Sequence, residues 1–254
     1  MKICCCYTPS HDSLHRDDFL PTIPPGFTVQ SEVIEMFGEG HYESPQFVPC
    51  VVKKVDLILQ SLRENAGNVI IWSDVDIQFY RLSPDRALAE LGERDIAFQA
   101  ANASSSAINS GFFICRCNAR VIAFFEEVKR RLQTEFAGEI EERVINKLLP
   151  SLNDRELSWC RLPRRFYARS NSWPPPRDLV LYHANATPGA NGVEIKHRRL
   201  REMALLQRYG LPVLLYTCVK YAPRRVWRLF NEWRSRIAQK TTTKRSGMAE
   251  TTLS

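Results

Sequence analysis

A short apolar run at residues 69–72 leads directly into two aspartates, and this stretch constrains the fold more than any other. It reads NVIIWSDVDIQFYR, with Asp74 and Asp76 separated by one valine. Buried carboxylates without partners are costly, so two like charges at the end of a buried strand call for a bound cation. Residues two apart on a strand face the same side, so both carboxylates can share one hard cation such as Mg²⁺ or Mn²⁺.

Strand-like and helix-like segments alternate along most of the chain. Apolar residues at 51, 55, 58 and 62 predict a helix, and a similar stripe predicts another over residues 119–136. Ser83 and Pro84 mark the start of a shorter helix, and EIEERVINKLL forms a further one. Strands are expected at residues 2–7, 28–34, 69–72, 95–101, 112–116, 157–163 and 179–183. This alternation predicts an α/β fold that binds ligands at the carboxyl edge of its sheet.

Two other stretches combine polar residues with the end of a predicted strand. INSGFFICR places Asn109 and Gly111 in a polar loop before a strand, where glycine admits a ligand close to the backbone. LYHANATPGANGVEIK ends an apolar run at His183 and reaches Lys196 through a glycine-rich loop, which suits a third metal ligand and a diphosphate contact. Each stretch also has a purely structural interpretation, as a strand-entry turn or as a buried histidine.

Together, IIWSDVDIQFY, INSGFFICR and LYHAN…G…K resemble the nucleotide-diphospho-sugar transferases of the glycosyltransferase type A fold. Within them, the chain is most similar to the group that contains plant cell-wall xylosyl- and arabinosyltransferases. The resemblance covers residues 1–203 and implies a Rossmann-like domain, with a mixed, mostly parallel sheet and helices on both faces. It also implies metal-dependent transfer of a sugar from a nucleotide-diphosphate sugar, expected to be a UDP-sugar, to a hydroxyl of a glycan or lipid-linked glycan, with retention of configuration.

The resemblance assigns the residues around the diphosphate by position. Asp74 and Asp76 correspond to the DxD motif that holds Mn²⁺ or Mg²⁺ on the donor diphosphate. His183 corresponds to a late metal-binding histidine, and Lys196 to a basic residue near the phosphates. The sequence therefore predicts the metal ligands Asp74, Asp76 and His183.

The resemblance also assigns residues around the sugar and the base. Asn109 and Gly111 would line the donor-sugar pocket, and Tyr7 and Thr8 would hold the nucleotide base at the end of the first strand. The family often has Asp-Gln before the helix that follows the NSG region, whereas the corresponding stretch of this chain, EERVIN, has two glutamates. Glu141 is expected to replace the acid that positions the sugar.

Two other functions stay open on the residues alone. A phosphatase-like hydrolase also ends an apolar strand in DxD, but such enzymes resemble DxDxT, and here Gln78 stands at the threonine position. No later predicted strand ends in an acidic pair. A non-catalytic nucleotide-sugar-binding protein is the second alternative, and the intact metal-binding pattern disfavours it.

The net charge of +7 is concentrated near the C-terminus, where residues 198–245 contain 13 Lys and Arg against two acids. We expect a catalytic domain over 1–203, an apolar and basic helical extension over 204–240, and a disordered tail over 241–254. An apolar stripe rimmed by arginines at 223–240 suits either peripheral binding to an anionic membrane or packing on the catalytic domain. Nucleic acid is not an expected partner, because no aromatic-basic RNA motif or zinc finger occurs.

The N-terminal and cysteine patterns favour the cytoplasm. The start, MKICCCYTPSHDS, lacks the apolar core of a secretory signal, and no run approaches the roughly 20 apolar residues of a membrane span. The eight cysteines form no CxxC pair and are expected to be thiols in a reducing compartment. We expect a cytoplasmic protein, with residues 223–240 as a candidate contact to the inner face of a membrane.

Overall fold

The computed structural model describes residues 1–35, 47–102, 106–136, 138–171, 174–185, 187, 191–210 and 212. Within these residues, the strands are β1 (Lys2–Tyr7), β2 (Thr28–Val33), β3 (Val69–Ser73), β4 (Ile77–Phe79), β5 (Ile96–Ala100), β6 (Ile108–Arg116), β7 (Trp159–Arg161), β8 (Phe166–Ala168) and β9 (Leu181–His183). The α-helices are α1 (Asp12–Leu14), α2 (Phe47–Glu64), α3 (Pro84–Leu91), α4 (Ala119–Thr134), α5 (Glu141–Leu148) and α6 (Gly192–Tyr209). Short 3₁₀ and π turns extend α1 into a helical segment over residues 9–22 and follow α5 at Leu149–Ser151.

The central sheet has six strands in the order β2-β1-β3-β6-β5-β7. The pairs β1–β2, β1–β3 and β5–β7 are parallel, whereas β6 runs antiparallel to both β3 and β5. A smaller sheet has the order β4-β9-β8. The predicted α/β class with a mixed, mostly parallel central sheet is confirmed.

Helices and the smaller sheet cover the two faces of the central sheet. On one face, α2, α4 and α5 join a buried cluster that includes Trp72, Phe98 and Phe113. On the opposite face, Phe112 contacts Phe79 and Phe166 of the smaller sheet, with ring centroids 6.3 and 5.8 Å apart. Alternate residues of a strand point to opposite faces, so adjacent phenylalanines of β6 serve different layers.

The predicted helices form where the capping residues and apolar stripes place them. The Ser83 side chain accepts a hydrogen bond from the Arg86 N–H at 3.2 Å and so caps α3, as its position before Pro84 predicts. Asn118 caps α4 in the same way, accepting from the Val121 N–H at 3.0 Å. These bonds satisfy backbone donors that the first turn of a helix leaves open.

Three parts of the sequence prediction are wrong. The NSG triplet was expected in a loop but lies within β6, because strand pairing extends the apolar FFICR segment towards its N-terminus. Helix α6, which carries Lys196, was not predicted. The strands β4 and β8 were not predicted, because three residues are too short to show a period-two pattern.

The chain divides into two compact units, residues 1–201 and 202–254. Among the helices that the structure describes, none has the length and apolar content needed to cross a bilayer. The predicted extension is described only as far as residue 212, so the segment 223–240 and the tail 241–254 lie outside the described residues.

Candidate metal site

Strand pairing brings the predicted metal ligands to one edge of the central sheet. The Asp74 N–H donates to the Gly111 carbonyl at 2.7 Å, and the Ala184 N–H donates to the Asp76 carbonyl at 2.9 Å. β4, which follows the aspartates, pairs antiparallel with β9, and β9 ends at His183. The histidine and the two aspartates are distant in sequence, but these contacts place them side by side.

The side chains of Asp74, Asp76 and His183, here called the metal group, are arranged in a way that suits a divalent cation. One ligand atom from each of Asp74, Asp76 and His183 lies within 4.8 Å of the others. The His183 Nε2 and Asp76 Oδ1 atoms are 3.1 Å apart. Neighbouring ligands of an octahedral Mg²⁺ lie about 3 Å apart, since each bond is roughly 2.1 Å long. Two carboxylates and one imidazole are also ligands that Mn²⁺ accepts.

Gly111 leaves the space that this group needs. A Cβ atom built on Gly111 would lie 2.4 Å from His183 Cε1 and 2.6 Å from Asp74 Oδ2. Both distances are below any real contact between these atoms. The missing side chain therefore allows the carboxylate and the imidazole to converge, and the residues present fit a bound cation.

Lys196 and His183 both contact the side-chain carboxylate of Asp76. The Lys196 Nζ lies 3.0 Å from Asp76 Oδ2, and His183 Nε2 faces the other oxygen. Burial favours the neutral acid, but the attraction of Lys196 and His183 outweighs it and holds the pKa of Asp76 well below its ordinary value. The buried carboxyl group of Asp76 is therefore ionised, as a carboxylate metal ligand must be.

Lys54 connects the aspartates to the predicted sugar-positioning acid. Its Nζ lies 2.8 Å from Asp74 Oδ1 and 2.9 Å from Glu141 Oε1. Burial opposes the charge of the lysine, but the two carboxylates raise its pKa well above the ordinary value. Burial likewise opposes ionisation of Glu141, and Lys54 reverses this and lowers its pKa. Lys54 was not predicted, although it lies three residues after Val51, on the apolar face of α2.

The NSG triplet reaches the site through an irregularity in β6. The pairing with β5 jumps from Phe98–Phe113 to Gln99–Asn109, so residues 110–112 have no partner in β5. The Asn109 side chain accepts from the Gly111 N–H at 2.8 Å, and the Ser110 hydroxyl donates to Glu141 at 3.1 Å. A bulge of this kind turns side chains out of the regular alternation, which explains how the triplet meets both Glu141 and the metal group.

The end of β1 supplies a separate cluster of hydroxyl and imidazole groups. Tyr7 stacks on His15 with ring centroids 4.3 Å apart, and Thr8 Oγ1 lies 3.1 Å from His11 Nδ1. Burial lowers the pKa of His11 to about 4, the charge of Lys196 lowers it further, and the aspartates at 76 and 74 act in the opposite direction. His11 therefore lies within electrostatic range of the metal group. It was not predicted, and its place in the polar stretch after β1 was the available signal.

The sequence matches a known protein family over most of its length. Residues 24–191 match the family described as nucleotide-diphospho-sugar transferase, which is more than half of the chain. An uncharacterised protein of Arabidopsis thaliana is 29% identical over 119 residues, or 46% of this chain. That match covers 35% of the Arabidopsis protein, so the chain spans about a third of the length of this curated relative.

Solved structures resemble the fold at low sequence identity. A glycosyltransferase involved in glycosylation of the major capsid of PBCV-1 superposes with a TM-score of 0.54 at 12% identity, covering 78% of this chain and 97% of that one. GlyE of Streptococcus pneumoniae TIGR4 gives 0.52 at 9% identity, over 78% and 59% of the chains. The galactosyltransferase LgtC, crystallised with donor and acceptor sugar analogues, gives 0.50 at 9% identity, over 80% and 95%. The fold is therefore that of the type A glycosyltransferases.

Proposed function

Since the chain belongs to the nucleotide-diphospho-sugar transferase family, and is thus a glycosyltransferase, we propose that it moves a sugar from a UDP-sugar to a hydroxyl of a glycan or lipid-linked glycan. The observation that carries this proposal is the convergence of Asp74, Asp76 and His183 beside Gly111, with Lys196 in contact with Asp76. Family membership also favours a transferase over the phosphatase-like alternative, which shares only the DxD pattern.

The metal group would hold Mn²⁺ or Mg²⁺ on the donor diphosphate. Asp74 and Asp76 supply carboxylate oxygens, and His183 supplies Nε2. A divalent cation at this position neutralises diphosphate charge and stabilises the departing group as a Lewis acid. The ion pairs of Lys54 with Asp74 and of Lys196 with Asp76 hold the two carboxylates in position before the donor arrives.

Lys196 is the residue best placed to act on the leaving diphosphate. Its side chain is 18% exposed and its ammonium already lies at the edge of the metal group, 3.0 Å from Asp76. An ammonium group in this position adds a positive charge where negative charge develops as the sugar departs. Lys196 therefore acts on the leaving diphosphate from the α6 side, in addition to the cation that the metal group would hold.

The sugar and the base would lie on opposite sides of the diphosphate. Asn109 and Gly111 line the sugar pocket, and Glu141, held by Lys54 and Ser110, orients the sugar hydroxyls. Tyr7 and Thr8 contact the base at the end of β1, and His11 adds a neutral imidazole next to them.

Transfer is proposed to retain the anomeric configuration, as family resemblance implies. The bond between the anomeric carbon and the donor diphosphate breaks, and the acceptor oxygen bonds to that carbon from the same face. The acceptor proton passes to the departing diphosphate, so the step needs no strong protein base. Glu141 stays a carboxylate because Lys54 lowers its pKa against the effect of burial, which suits positioning rather than proton transfer.

The cellular context is a further part of the proposal. We infer a cytoplasmic enzyme whose basic segment 223–240 contacts the inner face of an anionic membrane, where lipid-linked acceptors are found. The charge distribution supports this, since residues 198–245 carry most of the basic excess.

The test is a screen of nucleotide sugars with and without Mn²⁺, read out by donor hydrolysis and by thermal shift. The correct donor should raise the melting temperature by mass action, and Asp74→Asn or Asp76→Asn should abolish turnover while the fold is kept. EDTA should have the same effect on the wild type. Full turnover in EDTA would exclude the metal-dependent mechanism, and hydrolysis of a simple phosphate monoester without donor turnover would favour the phosphatase.

A further inference from the structure

We propose that Gln99 is a positioning residue for the metal site, which fixes the tautomer and ring orientation in which His183 presents Nε2 to the cation. The inference rests on the metal site of the proposed function and extends it to a residue in β5 that neither the motifs nor the family match assigns.

The contacts of Gln99 lock its amide in one orientation. Its Nε2 donates to the backbone carbonyl of Phe166 at 3.2 Å, and its Oε1 lies 2.8 Å from His183 Nδ1. A carbonyl oxygen can only accept a hydrogen bond, so the NH₂ of the amide must face Phe166. The oxygen of Gln99 is therefore the atom that faces the imidazole.

An acceptor opposite Nδ1 decides which nitrogen carries the proton. In a neutral imidazole one nitrogen donates and the other has a free lone pair. With Gln99 Oε1 as the acceptor, Nδ1 keeps its proton when a cation is bound, and Nε2 is the nitrogen whose lone pair would go to that cation. Nε2 is the nitrogen that lies 3.1 Å from Asp76, inside the metal group.

The burial of both side chains makes this bond hard to replace. Gln99 is fully buried, at 0% exposure, and the His183 side chain is 3% exposed. Bulk water therefore has little access to His183 Nδ1. Burying an amide is costly unless both of its ends are hydrogen-bonded, and here both are. An apolar residue would pack at this position at lower cost, so the amide is best explained by its effect on His183.

The position of Gln99 in the sheet explains why it can reach His183. It follows Phe98, which faces the core cluster under α4, so Gln99 faces the opposite side, where β9 carries the histidine. The register shift in β5–β6 falls between Phe98 and Gln99. The same irregularity therefore places the NSG triplet and the partner of His183 at one site.

The experiment measures Mn²⁺ affinity in the full chain, using the electron paramagnetic resonance signal of free Mn²⁺, for Gln99→Leu and Gln99→Glu. Loss of the acceptor in Gln99→Leu should weaken Mn²⁺ binding by about 10- to 100-fold, as outer-shell substitutions do. Gln99→Glu keeps an acceptor at Nδ1 and should retain most of the affinity. Phe98→Leu is the matched control, since it disturbs the same strand on the other face and should lower the melting temperature without affecting Mn²⁺ binding.

A second measurement reads the tautomer itself. In the metal-free protein with ¹⁵N-labelled histidine, nuclear magnetic resonance should show His183 protonated at Nδ1 in the wild type, whereas in Gln99→Leu the proton should shift to Nε2, which faces Asp76. If Gln99→Leu does not fold, Gln99→Met, which matches the length of the side chain, takes its place. Wild-type affinity in the variant without the acceptor overturns the proposal, as does an equal loss in Phe98→Leu. A wild type that binds no Mn²⁺ overturns the metal site and this inference together.

Discussion

At the residue scale, Gly111 matters because it has no side chain and so leaves space for its neighbours. A Cβ atom there would lie 2.4 Å from His183 and 2.6 Å from Asp74, and both side chains are held by other contacts. Glycine is required at this position by space and not by a positive φ angle. The residue therefore belongs to the metal group although it offers it no ligand atom.

We expect Gly111→Ala to weaken Mn²⁺ binding at least tenfold while the protein still folds. Overpacking of this kind costs about 1–3 kcal/mol and displaces the imidazole or the carboxylate. The measurement is Mn²⁺ affinity together with a thermal melt. Gly67→Ala is the control, because Gly67 has φ +80° and open space around its Cβ position. It should lose stability and keep its affinity, and equal affinity loss in both variants would refute the steric explanation.

The pKa of His11 leads to a prediction about how the stability of the protein depends on pH. Burial, followed by the charge of Lys196, lowers its pKa from 6.5 to about 4, so the unfolded chain binds the proton more readily than the folded one. Its contribution to stability is fully present above pH 6.5 and is lost as the pH falls towards 4. At about 1.4 kcal/mol per pKa unit, the loss amounts to about 3 kcal/mol at most.

Urea unfolding of the metal-free protein between pH 7 and pH 4 measures this effect. The free energy of unfolding of the wild type should fall more steeply with decreasing pH than that of His11→Gln, which keeps hydrogen-bonding capacity but does not titrate. Parallel curves for the two proteins would show that His11 is not buried as described.

At the scale of elements, α2 carries a lysine on the face that it buries. Lys54 is 15% exposed and pairs with Asp74 and Glu141, whereas its neighbour Lys53 is exposed to solvent. The helix thus combines core packing with charge compensation of the site. Helix α6 also carries a charged contact beside the site. His197, the residue after Lys196, pairs with Asp18 of the N-terminal helical segment.

Lys54→Met should destabilise the protein by about 3–5 kcal/mol, because it leaves a buried carboxylate without its partner. Lys53→Met should change stability by less than about 0.5 kcal/mol, as exposed substitutions do. Adding Glu141→Gln to Lys54→Met should restore part of the loss, since the unpaired charge is then removed. Chemical unfolding of the four proteins gives these differences, and a double variant no more stable than Lys54→Met would contradict the pairing.

At the scale of the whole molecule, the charge distribution carries the membrane hypothesis. The basic excess lies in residues 198–245, and ten of its thirteen Lys and Arg belong to the unit 202–254. Each basic residue near an anionic surface contributes about 1 kcal/mol, and this attraction is screened by salt.

Flotation with anionic liposomes should recover the full chain at low salt and lose it at high salt. A chain that ends at Ala222 lacks the segment 223–240 and should stay at the bottom of the gradient. Neutral liposomes provide the control for non-specific adsorption. Equal flotation of both chains, or no binding at low salt, would exclude a role of 223–240 as a membrane contact.

The sequence by itself determined the class of the fold and the residues of the metal group. An apolar strand ending in DxD, an NSG triplet and a late histidine are local patterns, and periodicity is read from neighbours along the chain. The alternation of strands and helices, the caps of α3 and α4 and the proximity of the three ligands follow from such patterns together with the family resemblance.

Only the tertiary structure decided which partners surround these residues. Lys54 and Gln99 contact the metal group from α2 and β5, and His11, in the segment after β1, lies within its electrostatic range. These residues and the metal group are far apart in the chain. The sequence around a lysine or a glutamine on an apolar face does not reveal which distant residue it will contact. Long-range pairing also placed the NSG triplet in β6, because the register of a strand depends on its neighbours in the sheet as well as on its own residues.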